Sequence, residues 1–413
     1  MIQCCHWKGR GVDMTQTRLQ RFWFVVVLGV LSAFAPLSLD MYLPALPNLS
    51  VSFHTNPSMA QLSLTFCLIG LAAGQLFVGP ISDALGRRTP LLVGIVIYTL
   101  VSFACTFTSS IWILLVLRLF QGLAGAAGIV SARAIVRDYY SGPELTRFFA
   151  FLMLINGAAP IIAPIFGGQL LRVTDWHGVF IVLGIIGVFL IIAVSLGLPE
   201  SLPKERRLTG GVSRTFFMMA GLFKDRRFMG YSLSQGFVMA AMFGYIAGSP
   251  FVIQDLYRVS AQWFSVIFAT NGLGIILASQ LSARLSVRYG EKKIFFSGLL
   301  LAGISSLVLF LFILIRTPLI LILVPLFLVV SSVGIVTTIG SSLAMQEQGN
   351  NAGGASAVIG VSQLMLGAFS SPLVGLGGSK TATPMGVIIV IFAVSSLFVY
   401  LLLIRSRKIR LNV

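Results

Sequence analysis

Long apolar segments, separated by short polar ones, follow one another along most of the chain. Each has about 20 residues, the length that a helix needs to cross a bilayer. The pattern predicts twelve membrane-spanning helices in two sets of six. We place them at residues 22–46, 59–81, 90–108, 111–135, 148–170 and 177–198, and at 228–251, 262–286, 293–315, 318–344, 352–376 and 383–404.

A longer polar stretch at residues 199–227 separates the two sets and predicts a linker. A weak repeat supports duplication, because SDALGRRTPLL after the second span has a counterpart, SVRYGEKKIFF, after the eighth, although Asp83 becomes Val287. The predicted fold class is an all-α polytopic membrane protein made of two pseudo-symmetric six-helix bundles. The predicted parts are a tail at 1–21, bundles at 22–198 and 228–404 with the linker between them, and a basic tail at 405–413.

Composition and charge agree with a membrane protein. Hydrophobic residues make up 57% of the chain and charged ones 10%, against about a quarter charged in soluble proteins. The net charge of +17 is unevenly placed. If the N-terminus is inside, the inner segments hold 24 of the 29 basic residues. This asymmetry predicts two cytoplasmic termini and explains the positive charge without a nucleic-acid partner.

The cysteines and histidines predict neither a disulfide framework nor a metal site. Cys67 and Cys105 fall in apolar spans, the other two cysteines lie in the polar N-terminal tail, and the three histidines are scattered. The first thirteen residues differ in character from the rest of the chain. Because Met14 begins a short basic lead into the first span, we expect the start of translation at Met14.

The segment GPISDALGRR (79–88) connects the second and third spans. Its glycines allow close backbone approach and a tight turn, and its aspartate can meet a basic partner or a helix N-terminus. A positively charged inner loop would explain the arginines but not the whole spacing. The spacing resembles the signature G-x-x-x-D-x-x-G-R-R of the major facilitator superfamily. The resemblance implies a conformational latch whose members are Gly79, Asp83, Gly86, Arg87, Arg88, Arg137 and Asp138.

Two further segments resemble superfamily motifs. RLFQGLAGAAG (118–128) resembles R-x-x-Q-G of the fourth helix and places Arg118 about seven residues inside its span, where an ionisable residue is costly and commonly functional. Snorkelling to the outer surface is the alternative. NGAAPIIAPIFGGQ (156–169) resembles the antiporter motif G-x-x-x-G-P-x-x-G-G, although ordinary packing also uses such small residues. Its motif residues are Pro160, Pro164, Gly167 and Gly168.

Asp40, in LSLDMYLPALP, is the only acid well inside a predicted span. It lies about six residues before the outer end of the first span, and therefore at the same depth as Arg118, roughly 10 Å from the outer boundary. Burial disfavours the charged carboxylate and a nearby arginine favours it, so an arginine that moves would make a proton switch. A permanent salt bridge is the alternative. Pro36, Pro44 and Pro47 are expected to bend the helix around this site.

These motifs, with AGGASAVIG (352–360), resemble the Bcr/CflA family of drug:proton antiporters from about Met14 to the last span. The resemblance implies the twelve-helix major facilitator fold and efflux of small drugs across the bacterial inner membrane in exchange for protons. It implies no cofactor, and we expect a monomer. A proton-coupled transporter of an amino acid, peptide or sugar remains open. A membrane-embedded enzyme or sensor is more remote, because the sequence shows no nucleotide loop, metal cluster or catalytic triad.

The substrate site is less sharply defined. The seventh span contains QGFVMAAMFGY, whose soft side chains suit varied hydrophobic ligands but could equally face lipid or core. Polar residues in or near other spans could orient a ligand. The candidates for substrate binding are Tyr42, Asn156, Phe237, Met239, Met242, Phe243, Tyr245, Asn271 and Gln363.

Overall fold

The computed structural model describes residues 18–140, 142–207, 221–346, 348, 352–378 and 381–405. The first bundle contains α1 (Arg18–Ser32), α2 (Phe34–Asp40), α3 (Leu46–Ser52), α4 (Pro57–Leu85), α5 (Arg88–Thr106), α6 (Ile111–Tyr139), α7 (Gly142–Leu170) and α8 (Trp176–Gly197). The second contains α9 (Arg226–Pro250), α10 (Ala261–Tyr289), α11 (Glu291–Leu314), α12 (Leu319–Met345), α13 (Ala352–Val374) and α14 (Thr383–Tyr400). The predicted start at Met14, residues 208–220 of the linker and the tail from residue 406 lie outside the described residues.

The all-α fold class predicted from the apolar segments is confirmed. Within the described residues, 10 helices are long and apolar enough to cross a membrane, and the bent pair 23–32 and 36–52 makes 11. The apolar part of α7, Leu154–Leu170, is a shorter helix. These segments follow the order and the approximate bounds of the twelve predicted spans.

The first segment is broken where its prolines stand. Its two parts are bent by 51°, and the break between α1 and α2 lies at Ala33, three residues before Pro36. Because Pro36 has no N–H, the Ser32 carbonyl loses its helical partner. A second break follows Asp40, where the chain continues through a 3₁₀ turn at Leu43–Ala45 into α3. Asp40 is therefore the last residue of a short helix instead of lying within a continuous one.

The repeat detected in the sequence has a matching backbone conformation. Gly86 ends α4 with φ of 99°, and Gly290 ends α10 with φ of 87°. Such left-handed values favour glycine, which has no Cβ to clash with the following carbonyl. The turn from the second to the third segment of each half is thus built in the same way.

The hydrogen bonds between the two bundles are concentrated at one end, which we call the junction. Here α4 and α10 begin and α7, α9 and α13 end. Wherever both partners lie in the described residues, each hydrogen bond between the bundles is at this end and joins a side chain to a backbone carbonyl. The pairs are Ser58 to Pro372, Gln61 to Ala247, Thr65 to Ala368, Gln254 to Pro44 and Gln262 to Gly168.

Candidate coupling site and latch

Asp40 is buried at the C-terminal end of α2, close to the junction. Its exposed fraction is 7%, and it is the one buried acidic side chain among the described residues. The chain immediately beyond it touches both the first and the second bundle. Gln254 of the second bundle donates a hydrogen bond to the Pro44 carbonyl at 3.3 Å. A movement of one bundle relative to the other would therefore change the surroundings of Asp40.

Arg118 of α6 is fully buried, and its guanidinium is held by neutral acceptors. Nη2 donates to the Ser38 carbonyl at 3.0 Å, Nε to the Ser63 carbonyl at 3.4 Å and Nη1 to Oε1 of Gln121 at 2.5 Å. With an exposed fraction of 0%, the side chain does not snorkel to the surface. Its charge is instead stabilised by dipoles inside the first bundle.

Aromatic rings complete the surroundings of this guanidinium. Its central carbon lies 4.9 Å from the ring centroid of Tyr42 and 5.6 Å from that of Phe180. A cation over a ring face is attracted by the negative potential of the ring, and the attraction is strongest where water is excluded. Tyr42 also shares a hydrogen bond of 3.2 Å with Ser63. This predicted ligand residue is fully buried beside Arg118 in the structure.

Asp40 and Arg118 lie on neighbouring helices, α2 and α6, but their side chains do not form an ion pair. No ion pair joins them, so the permanent salt bridge considered from the sequence is not formed here. Arg118 instead binds the Ser38 carbonyl, two residues before Asp40. The carbonyls of a last helical turn lack helical partners and carry a partial negative charge. Arg118 therefore holds the end of α2 through its main chain and leaves the carboxyl of Asp40 uncompensated.

A second layer of hydrogen bonds fixes this arrangement. Gln121 Nε2 donates to Ser102 Oγ at 2.8 Å, and Ser38 Oγ shares a hydrogen bond of 2.6 Å with the Tyr98 hydroxyl. These contacts connect α2, α5 and α6. Sequence reasoning did not identify these four residues as functional. Gln121 could have been found from its place in R-x-x-Q-G, whereas the serines and the tyrosine follow no motif.

Two predicted ligand residues of the second bundle bond to each other. Asn271 Nδ2 of α10 donates to the Tyr245 hydroxyl of α9 at 2.8 Å. The Tyr245 ring also stacks on Phe268, with centroids 5.5 Å apart. The 3₁₀ turn Leu43–Ala45 after Asp40 contacts both α9 and α10. The helices that carry Tyr245 and Asn271 therefore pack against the chain that follows Asp40.

The other ligand candidates are dispersed. Phe237 stacks on Phe392 of α14, with centroids 6.0 Å apart, and so points into the second bundle. Phe243 is buried. Gln363 donates to Gln235 at 3.4 Å, whereas Asn156 bonds to the Leu152 carbonyl of its own helix at 2.8 Å. The remaining candidates, partly buried against the core of the second bundle, are Met239 and Met242.

The glycine pair of the predicted antiporter motif makes two close approaches. A Cβ on Gly167 would lie 2.1 Å from the Met41 carbonyl oxygen, so α7 touches the backbone directly after Asp40. A Cβ on Gly168 would lie 2.4 Å from Ser265 Oγ of α10. Pro160 and Pro164 lie inside the same helix. The motif therefore places α7 against both the second bundle and residues 41–45, which we call the Asp40 turn.

The predicted latch is assembled at the opposite end of the first bundle. Arg87 pairs with Asp83 at 2.5 Å and with Asp138 at 2.9 Å, which connects the ends of α4 and α6. Arg88 donates to the Ser195 carbonyl of α8. All these partners belong to the first bundle. Three predicted members stand apart from this pairing: Gly79 is partly buried, Gly86 forms the turn, and Arg137 is exposed with no ion pair among the described residues.

Glu200, which the sequence reasoning missed, lies at the centre of the hydrogen bonds around the predicted latch. Its carboxylate accepts hydrogen bonds from the backbone N–H groups of Arg87 at 2.8 Å, Arg88 at 3.2 Å and Leu202 at 3.0 Å. Burial alone would raise the pKa of Glu200, but these bonds and the Arg207 charge outweigh it and lower the pKa. Its sequence signal is weak: one of two acids in PESLPKERR.

Glu200→Gln is expected to destabilise the first bundle by about 1–2 kcal/mol, because one charged acceptor of several hydrogen bonds is lost. Since folding lowers the pKa of Glu200, its stabilising contribution is present above the unfolded pKa and is lost as the pH falls through the folded one. The difference in thermal midpoint between wild type and variant should therefore shrink as the pH falls below about 4.5. Glu205→Gln, an exposed change in the same segment, is the control. An equal effect of both changes would contradict the latch role of Glu200.

Comparison with known proteins decides the family. The family model described as Major Facilitator Superfamily matches residues 28–372. The chain belongs to the major facilitator superfamily. It is therefore a transporter and not an enzyme, and the twelve-helix expectation agrees with the facilitator fold.

Relatives place this facilitator among Bcr/CflA-type proteins. It is 42% identical to the uncharacterized MFS-type transporter YdgK of Bacillus subtilis, over 92% of this chain and 94% of the relative. It is 29% identical to the bicyclomycin resistance protein homolog of Haemophilus influenzae, over 88% and 92%. Identity to the chloramphenicol resistance protein of Pseudomonas aeruginosa is 31%, over 68% and 66%.

Solved structures support the fold alone. A bacterial homolog of the human lysosomal transporter Spinster, in an inward-facing and unoccupied conformation, matches with a TM-score of 0.76. The sequence identity is 15%, and the match covers 94% of this chain and 98% of the other. At this identity the facilitator shares the helix arrangement of that transporter, and its residue roles follow from its own contacts.

Proposed function

We propose that this facilitator exports small, chemically varied drugs across the bacterial inner membrane in exchange for protons, with both termini in the cytoplasm. The relatives named for bicyclomycin and chloramphenicol resistance support drugs as the cargo. The uneven placement of basic residues supports the orientation. The observation that carries proton coupling is the buried, uncompensated carboxyl of Asp40 beside Arg118.

The physical basis for coupling is the cost of burying charge. A carboxylate without a cationic partner is far more expensive to bury than a neutral carboxyl. In the present arrangement Arg118 is engaged by the Ser38 carbonyl, which favours a protonated Asp40. A small shift of α2 against α6 would exchange that carbonyl for the carboxylate and favour release of the proton. Arg118 bound to the Ser38 carbonyl would be one state of the switch, and Arg118 bound to the Asp40 carboxylate would be the other.

The junction gives this switch a connection to alternating access. In the proposed orientation the junction is on the outer side, so the present state is closed to the outside. Opening requires the loss of neutral hydrogen bonds between side chains and backbone carbonyls, each worth about 1 kcal/mol. Because the Asp40 turn contacts Gly167 and Gln254, opening the junction would displace the carboxyl. A proton from outside could then reach Asp40 as cargo leaves.

The inward half of the cycle follows by reversal. In the state closed to the outside, cargo binds from the cytoplasm, α2 shifts so that Arg118 exchanges the Ser38 carbonyl for the Asp40 carboxylate, and the Asp40 proton leaves to the cytoplasm. We place the polar end of the cargo near Tyr245 and Asn271, whose helices contact the turn after Asp40. The membrane potential supplies about 2.3 kcal/mol per transferred charge per 100 mV. No cofactor is required, because the proton gradient drives the cycle.

Gln61→Leu is expected to open the junction more often, because it removes the hydrogen bond to the Ala247 carbonyl while keeping the side-chain volume. Loss of about 1 kcal/mol would shift the ratio of the two states about fivefold. Spin labels at the exposed residues Ser52 and Leu376, one in each half, would report the separation. Gln280→Leu, at an exposed position of α10, is the control. An unchanged distance distribution in Gln61→Leu would contradict the role of this bond.

The function is tested by a drug-susceptibility panel in an efflux-deficient bacterial host that expresses the chain. Export predicts raised tolerance to several unrelated compounds, and a protonophore should abolish it. The purified transporter in liposomes should then accumulate or expel the same compounds when a pH gradient is imposed. Uptake of an amino acid, peptide or sugar without altered tolerance would replace drug export by metabolite transport. Consumption of a compound without its movement would overturn both.

A further inference from the structure

A large cavity opens at the end of the second bundle remote from the junction. Its volume is about 920 Å³. It lies between the first turns of α9 and α11 and the last turns of α12 and α14. Because these helices span the membrane, the cavity is at the level where helix ends meet lipid headgroups.

The lining of this cavity is strongly basic. Five cationic residues contribute to it: Lys224, Arg226, Arg227, Lys292 and Lys293. Asp225 is the one acidic residue among the described lining residues, and its carboxylate is already engaged. It caps α9 by accepting from the N–H groups of Arg227 and Phe228, and it accepts from Gln348 Nε2 at 2.9 Å. The cavity therefore carries an excess of positive charge.

The corresponding turn of the first bundle, between α4 and α5, has carboxylate partners that this part of the second bundle lacks among the described residues. There the Arg87 guanidinium pairs with Asp83 and Asp138, and Glu200 accepts from the backbone N–H groups of Arg87 and Arg88. In the second bundle Val287 replaces the aspartate, and Glu291 stands at the place of Arg87. Glu291 accepts from Ser342 and Gln346 of α12, which are neutral. Lys292 and Lys293 of this turn therefore have no carboxylate partner among the described residues, since its one acid, Glu291, is bonded to neutral side chains.

Four of the five cations lack a carboxylate partner among the described residues. Lys224, Arg226, Lys292 and Lys293 make no ion pair with any described residue. Arg226 donates to the neutral Leu402 carbonyl at 2.9 Å. The positive ends of the α9 and α11 dipoles add to the same field. An external anion would be attracted by all of these groups together.

The remaining walls are apolar and aromatic. Phe228, Tyr231, Phe296 and Tyr400 line the cavity, together with Leu403 and Ile404. Aromatic rings at helix ends are typical of the interface between lipid headgroups and chains. A small hydrophilic anion would leave this apolar surface unused. A ligand with an anionic head and an apolar body would complement both parts.

Charge argues against filling of the cavity by the chain's own segments. Residues 208–220 and 406–413 adjoin its lining in sequence and contain four basic residues and no acidic one. Glu347, next to the lining residue Gln346, could offset only one of the four charges without a carboxylate partner among the described residues. We propose that the cavity binds the phosphodiester headgroup of an anionic phospholipid of the surrounding leaflet. Basic pockets between membrane helices are a known physical basis for such recognition.

The test compares lipid binding by the full chain and two double variants in detergent. Lys292→Gln with Lys293→Gln removes two cavity cations. Arg284→Gln with Arg288→Gln removes the same charge from the exposed end of α10, outside the cavity lining. Native mass spectrometry measures retention of phosphatidylglycerol, with phosphatidylcholine and inorganic phosphate as separate arms. Elution as a single species confirms that each variant is folded.

We expect wild type to retain phosphatidylglycerol in preference to phosphatidylcholine. The lysine pair should weaken this binding about thirtyfold, while the arginine pair leaves it within about threefold. Equal loss in both pairs would show nonspecific attraction and overturn the site. Inorganic phosphate that displaces phosphatidylglycerol at comparable concentration would overturn a lipid as the occupant. Equal retention of the two lipids by wild type would also overturn the proposal.

Discussion

Asp40→Asn is expected to leave the transporter folded and inserted while abolishing drug movement driven by a pH gradient. Asparagine keeps the size of the side chain and its hydrogen-bonding capacity but does not exchange a proton in this pH range. Because Asp40 makes no ion pair with any described residue, its replacement removes no attractive charge contact from that part of the fold. A neutral side chain should even be cheaper to bury. The expected loss is therefore confined to coupling.

The measurement uses one reconstituted sample for membrane abundance, ligand binding and transport. Asp40→Asn should match wild type in abundance and retain binding, whereas transport under an imposed pH gradient should fall to the level of empty liposomes. Asp255→Asn, at a partly buried acid of the second bundle near the junction, is the matched control and should transport normally. Full drug–proton exchange by Asp40→Asn would remove this residue from the mechanism. Loss of folded protein would instead indicate a structural role.

The membrane segments could be predicted because their signal is local. A run of about 20 apolar residues can be recognised without knowledge of its neighbours. The prolines after Phe34 likewise predict a bend. The depth of Asp40 and Arg118 also follows from counting residues along helices. Their contacts do not follow in this way. Arg118 binds the Ser38 carbonyl, a backbone group that every residue carries and that no side-chain pattern reveals.

The predicted latch contains some contacts that its sequence motif implies and others that depend on helix packing. Arg87 and Asp83 are four residues apart on one turn, so their pairing is implied by local geometry. Glu200 is 113 residues from Arg87 and reaches it only because α8 packs beside α5. Arg137 and Asp138 are adjacent in sequence, yet helix rotation directs only Asp138 toward Arg87. Contacts between remote segments require the fold.

The ligand candidates failed to converge for the same reason. Residue type identified Tyr245, Asn271 and Phe237 equally, since each could serve a mixed polar and apolar pocket. Rotation of α9 about its axis directs Tyr245 toward Asn271. It directs Phe237 toward α14 instead. Because α9 is buried on most of its surface, with 83% of its apolar window inside the protein, its sequence contains little information about which face meets the other bundle.

Gly167→Ala is expected to damage coupling and stability together, because α7 has no room for a methyl group at this point. The added Cβ would lie 2.1 Å from the Met41 carbonyl oxygen and 3.3 Å from Met41 Cα. These are backbone atoms of the turn after Asp40, so no side-chain rotation relieves the overlap. Overpacking of this kind costs about 1–3 kcal/mol. The turn or α7 must move, and Asp40 moves with it.

Gly157→Ala is the matched control in the same helix. Its Cβ would meet only the flexible side chain of Ile276 of α10, at 3.6 Å, which is an ordinary contact. In a helix the change from glycine to alanine is otherwise favourable by about 0.5–1 kcal/mol. The control should therefore be neutral or slightly stabilising. A difference between the two variants would then report the close approach and not the helical propensity.

Thermal unfolding in detergent and pH-driven transport in liposomes separate the two effects of Gly167→Ala. We expect a lowered thermal midpoint and transport reduced at least about tenfold, since a displacement near 1 Å at a functional group has effects of that order or larger. Gly168→Ala should differ from both, because its Cβ would meet Ser265 Oγ at 2.4 Å and the Ala261 carbonyl oxygen at 3.0 Å, which belong to the second bundle and not to the turn after Asp40. If Gly167→Ala behaved like Gly157→Ala, α7 would not position the Asp40 turn. The antiporter motif would then reflect helix packing alone.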